Sequence, residues 1–140
     1  MFIVFLIFTG KMIKTNTSSG IRVQVTPSFR PDYSNLGNAV YFFDYNIQIE
    51  NQRNSEIKLL SRKWKVFDSM HAARLIEGVG VVGETPVINT GMTYGYSSGC
   101  DLNSELGYME GMYTFKDLKT NEIIDVLIPR FELFYPFRFN

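Results

Sequence analysis

The chain has 140 residues, 45% hydrophobic and 15% aromatic, which suits one globular domain and excludes a disordered chain. Fourteen Lys+Arg offset fourteen Asp+Glu, so no net field favours nucleic acid or an anionic membrane. One cysteine, Cys100, and one histidine, His71, exclude a disulfide framework and leave only carboxylates for a protein-built metal cage.

Phe2–Phe8 is the one fully apolar run. It is far shorter than the about 20 residues of a spanning helix, and it lacks the basic flank and small-residue cleavage site of a secretory signal. Met12 opens a polar stretch that looks like an ordinary cytoplasmic start, so residues 1–11 read as an upstream start-codon assignment. If made, they are expected to form an exposed tail or an added edge strand. Residues 1–19 are therefore expected to be an N-terminal extension, and residues 20–140 one domain.

From Gly20 onward the hydrophobic period is two, which predicts strands. Ile21, Val23 and Val25 form a first strand that Pro27 ends, and Ser28–Asn38 is a loop. Val40–Glu50 places Tyr41, Phe43, Tyr45, Ile47 and Ile49 on one face, with Asp44, Asn46, Gln48 and Glu50 on the other. After a polar turn, Ile57–Phe67 returns with Leu60, Arg62, Trp64 and Val66 on one parity, Trp64 being the expected core tryptophan. Arg74–Val82, Val87-Ile88, Met92–Ser97, Tyr108–Phe115 and Glu122–Ile128 follow, with Asp117–Asn121 as a hairpin turn. Seven or eight such strands predict an all-β sandwich of two antiparallel sheets. The tail Arg130–Asn140 carries five Phe or Tyr and is expected to lie across the sandwich as an edge or lid.

Gly78, Gly80 and Gly83 match the G-x-G-x-x-G spacing of dinucleotide sites. That use needs a helix to begin within the motif, whereas Glu84-Thr-Pro-Val-Ile88 is strand-like and carries an acidic group that repels phosphate. A structural role is preferred: Gly78 and Gly80 leave one face bare for a ring or backbone, while Leu75, Val79 and Val81 pack from the other. Anion binding at Gly78, Gly80 and Gly83 is the alternative. Arg62 lies on an otherwise apolar face and is expected to stack on a ring, to pair with Glu77 or Glu84, or to serve as the cation of a ligand groove.

His71 sits in a turn with only Asp68 nearby, and no spacing brings it to Ser97, Ser98 or Cys100. No catalytic residue is assigned, Cys100 reads as a small packed side chain, and the scattered carboxylates suggest neither a metal site nor a cofactor.

Six stretches resemble the bacterial ApaG family, also called CorD. They are Tyr41–Asn51, Leu59–Trp64, Gly78–Pro86, Tyr94–Cys100, Gly107–Tyr113 and Ile128–Leu133, in family order, and the resemblance covers about residues 21–135. Asp68–His71 and Asn103–Glu105 depart from the family's usual turns. The resemblance implies an immunoglobulin-like, fibronectin type III-like sandwich. It also implies an association with cobalt tolerance and magnesium efflux, and a domain that binds proteins in eukaryotic F-box and polymerase-interacting proteins. A pyrophosphate role suggested for the family's glycine motif would fall on Gly78, Gly80 and Gly83. The expected activity is therefore a non-catalytic, cytoplasmic protein-interaction module, monomeric or homodimeric, with no nucleic acid or membrane partner. Its expected partner surface is the aromatic set Phe131, Phe134, Tyr135 and Phe137. The alternative is a binder of pyrophosphate, nucleotide or a metal-linked ligand at Gly78–Gly83 and Arg62.

Overall fold

The computed structural model describes residues 12–139, without the side chains of the last two. Residues 1–11, on which the start-codon reading falls, lie outside the described residues. Nine strands are formed: β1 (Lys14–Ser18), β2 (Ile21–Phe29), β3 (Tyr41–Asn51), β4 (Ile57–Asp68), β5 (Arg74–Val79), β6 (Val87–Ile88), β7 (Thr93–Leu102), β8 (Leu106–Asp117) and β9 (Ile123–Phe134). One sheet has the order β1-β2-β3-β7; the other is β5-β4-β8-β9, with β6 also on β4. All pairings are antiparallel. The sandwich expected from the period-two pattern is the observed fold.

The core follows from alternation. Ile21, Val23 and Val25 of β2, and Phe43, Tyr45, Ile47 and Ile49 of β3, are buried against Trp64, Val66, Tyr113, Phe115, Val126 and Phe131 of the facing sheet. Trp64 is central, with ring centroids of Tyr45, Phe131 and Tyr113 at 5.4, 6.0 and 6.3 Å.

Several expectations are corrected. The boundary at residue 20 is too late, because Lys14–Ser18 pairs with β2 across a turn in which Ser19 and Gly20 adopt φ of 52° and 72°. The matching primed turn is suited to the twist of a hairpin. Pro27 does not end β2: β1 pairs only as far as Val25, so Pro27 sits where β2 is an edge and its missing donor costs no ladder bond. Likewise β9 does not stop at Ile128. Glu110 of β8 faces two residues, Pro129 and Arg130, and this bulge absorbs the proline and returns Phe131 and Leu133 to the core side. The first part of the expected lid is thus an ordinary edge strand. Among the described residues β1 adds a ninth strand ahead of the expected set, and β5 ends at Val79 rather than Val82.

A second bulge, at Leu60, decides the inner face of β4. It switches parity so that Ile57 and Leu59 before it, and Arg62, Trp64 and Val66 after it, all turn toward the other sheet, with Leu60 as the half-buried extra residue. The expected Leu60–Arg62–Trp64 row is therefore not a single face.

Candidate functional site

The bulge sends the Arg62 side chain under β5, where its register partner is Gly78. A Cβ built on Gly78 would lie 2.7 Å from Nη1 and 2.9 Å from Cζ of Arg62, so the guanidinium occupies the bare glycine face. Arg62 Nη1 donates to the carbonyl oxygens of Val79 at 3.2 Å and Gly80 at 2.8 Å. The acceptors of this cation are backbone carbonyls, not a ring and not Glu77 or Glu84. Glu84 instead accepts a hydrogen bond from the Tyr94 hydroxyl at 3.1 Å.

The rest of the glycine motif is a tight turn. Gly80 has φ of 62°, donates its N–H to Leu60 O at 2.8 Å, and leaves no room for a Cβ against the Glu84 carbonyl. Val81 and Glu84 exchange backbone bonds of 2.8 and 2.9 Å, with Val82 and Gly83 between them at φ of 42° and 80°. Two left-handed residues in a two-residue hairpin are the type I′ geometry. Strand β6 follows, so no helix N-terminus is presented to an anion here. Gly78, Gly80 and Gly83 are each accounted for by Arg62, by Glu84 and by the turn.

Below the loop lie three tyrosine hydroxyls. Tyr96 and Tyr113 share a short hydroxyl–hydroxyl bond, and Tyr45 is the register partner of Ser98 on β7. Burial pushes all three phenols upward, the nearby Arg62 cation only partly opposing it, so they are protonated donors and acceptors at neutral pH. Burial also pushes the Cys100 thiol up to about 11, which leaves little thiolate for nucleophilic chemistry. His71 is exposed in the β4–β5 turn, where its backbone N–H donates to the Asp68 carbonyl oxygen at 3.0 Å. The Asp68 carboxylate is buried and caps the β7–β8 turn, accepting from Asn103 N at 2.7 Å and from the Ser104 hydroxyl. Among the described residues no group of three or more His, Cys, Asp or Glu side chains could hold a metal ion.

The aromatic tail divides. Phe131 is fully buried against Tyr45 and Trp64, so it cannot form part of a partner surface. Tyr135 is half-buried between Phe29 and Tyr41, at 5.2 and 5.5 Å, and Phe134 is also half-buried. Phe137, 51% exposed, packs on Phe29 and Tyr135. These rings close one end of the sandwich.

The strongest exposed apolar signal lies elsewhere. Leu75 and Val79 of β5 are 76% and 77% exposed, contrary to the expectation that they pack with Val81, which alone of the three is buried. Both side chains stand on the outer face of the sheet, in register with Lys65 and Ser61 of β4 and opposite in parity to the buried Trp64 and Val66.

A family model described as DUF525, the ApaG domain, matches residues 31–117. The chain belongs to the ApaG domain family. Protein ApaG of Methylocella silvestris is 38% identical over 117 residues, covering 84% of this chain and 89% of that protein. Protein ApaG of Mesorhizobium japonicum is 40% identical over 116 residues, covering 83% and 88%. A crystal structure described as the ApaA protein of Bordetella pertussis superposes with a TM-score of 0.79 at 32% identity, covering 83% of this chain and 94% of that one. These matches extend the ApaG assignment over both sheets. Among the described residues no helix is long and apolar enough to cross a membrane.

Proposed function

We propose that this ApaG domain is a non-catalytic protein-interaction module of the cytoplasm. The observation that carries the reading is Arg62: its guanidinium lies against the bare face of Gly78 and is engaged by the backbone carbonyls of Val79 and Gly80, so that glycine face is taken by a side chain of the chain itself. Protonated tyrosines and a thiol raised to about 11 offer no poised nucleophile or base beside it. Exposed apolar side chains on an unpaired strand edge, with Tyr135 and Phe137 as a further contact patch, favour a protein partner instead. On this reading the family's association with cobalt tolerance and magnesium efflux is exerted through a bound protein, not through a metal held by this chain.

The test has two arms. Calorimetry with pyrophosphate, ATP, Co²⁺ and Mg²⁺ is expected to show no saturable heat, and affinity capture followed by reconstitution from purified components is expected to yield a stoichiometric complex. Saturable pyrophosphate binding that Arg62→Ala abolishes would replace the module with the ligand-binding reading.

A further inference from the structure

Gly80 directs its N–H toward β4, to Leu60 O. Backbone groups alternate sides along an antiparallel strand, so Leu75, Glu77 and Val79 turn theirs to the open edge of the sheet. The Val79 carbonyl on that edge is capped by Arg62, which reaches it beneath Gly78. At the other end Arg74, the first residue of β5, spans to Asp101 of β7, bonding its carbonyl and lying 3.4 Å from its carboxylate. Among the described residues, β5 between these two arginine clamps keeps the N–H and C=O of Leu75 and Glu77 and the N–H of Val79 for an incoming strand.

The same three side chains share the outer face of the sheet, in register with Lys65, Lys63 and Ser61 of β4. Leu75 and Glu77 also line a shallow outer-face groove of about 540 Å³ with Lys63, Lys65 and Met112. Glu77 has Lys63 as its neighbour on the β4 side, and among the described residues no strand pairs on its outer side. Directly opposed side chains on one face decide strand pairing, and opposite charges favour it.

We infer that β5 is a strand-addition site for an extended segment of another protein, with the pattern apolar-x-basic-x-apolar. The apolar residues flank Leu75 and Val79, and the basic residue faces Glu77. The pattern reads the same in both directions, so it suits either strand polarity. Self-pairing of β5 centred on Glu77 would oppose two carboxylates, which disfavours a second copy as occupant. The inference rests on the interaction-module reading and names its surface.

The probe is a capped synthetic peptide, Thr-Val-Thr-Lys-Thr-Val-Thr, titrated into the full chain and followed by amide NMR. Saturable shifts and exchange protection are expected at Leu75, Glu77 and Val79. A peptide with Glu in place of Lys should bind about five- to tenfold more weakly, and Glu77→Lys should reverse that preference. Equal affinity for both peptides, shifts confined to β7 or β9, no saturable shift, or dimerisation through β5 would overturn the site. A captured partner that binds wild type and Glu77→Lys equally also overturns this site while leaving the module reading intact. Absence of any partner for the wild-type chain overturns the module itself.

Discussion

Arg62 and Gly78 are register partners on β4 and β5, and the guanidinium of one fills the volume that a side chain on the other would take. The contact joins two sequence-distant features, a bulged strand and a glycine motif, into one device. The glycine lets the arginine pass under the edge strand, and the arginine satisfies the carbonyls of Val79 and Gly80 where that strand ends.

Gly78→Ala should therefore destabilise the fold by about 1–3 kcal/mol, since its Cβ displaces a charged donor from two carbonyls. Arg62→Ala should cost a similar amount, because hydrogen bonds to charged groups are worth about 1.5–3 kcal/mol. Denaturant unfolding of both single variants and the double variant should give a coupling of about 1 kcal/mol or more. Additive costs would show that the two residues act separately.

Val82 is a β-branched residue at φ of 42°, a conformation such residues rarely accept, and its side chain is 54% exposed. Little burial is lost on replacing it, so relief of backbone strain dominates. Val82→Asn should stabilise the protein by about 1 kcal/mol, read as a higher melting temperature. A lower melting temperature would mean that the turn is not strained.

Tyr96 and Tyr113 are held neutral chiefly by burial, with pKa values raised above those of the unfolded chain. The neutral forms are favoured on folding, so their contribution is fully present below about pH 10 and is lost as pH rises beyond it. Alkaline titration should release their phenolate absorbance together with unfolding. Tyr113→Phe should cost about 1–3 kcal/mol by leaving the Tyr96 hydroxyl unpaired, and adding Tyr96→Phe should recover part of it. Phenolate formation by these rings in a still-folded chain would contradict this.

Asp117 is 1% exposed in the hairpin before β9. The Ser55 hydroxyl, the amides of Thr120 and Lys119 at 3.0 and 2.9 Å, and Arg53 hold its carboxyl well below the usual carboxylate range. A depressed folded pKa gives stability that is complete above the unfolded value of about 3.9 and is lost as pH falls below it. Asp117→Asn should accordingly melt lower at neutral pH, with the gap to wild type narrowing toward acid. Parallel melting curves from neutral to acid pH would count against the carboxylate's role.

Much of the architecture was legible because alternation encodes which face of a strand is buried. β3 is the clearest case: Phe43, Tyr45, Ile47 and Ile49 read as one inward face and are one. Proline is a poor guide to where these strands end. Pro27 and Pro129 both lie inside strands, one on an unpaired edge and one in a bulge, and neither circumstance is visible without the neighbouring strand. The site was half legible. The unusual position of Arg62 and the non-nucleotide context of the glycines were evident in sequence, but their contact was not, since they are joined only by cross-strand register.

The sequence by itself determined the all-β class, the inward faces of the central strands, the absence of a helix after Gly83 and the ApaG resemblance. The tertiary structure alone decided that Leu75 and Val79 are exposed, that Phe131 belongs to the core, and that Arg62 fills the space at Gly78. The physical reason is that a period-two pattern records which way side chains point. Whether a strand lies at the centre or the edge of a sheet, and which distant residue faces it, depends on pairing and on bulges that shift register by one residue.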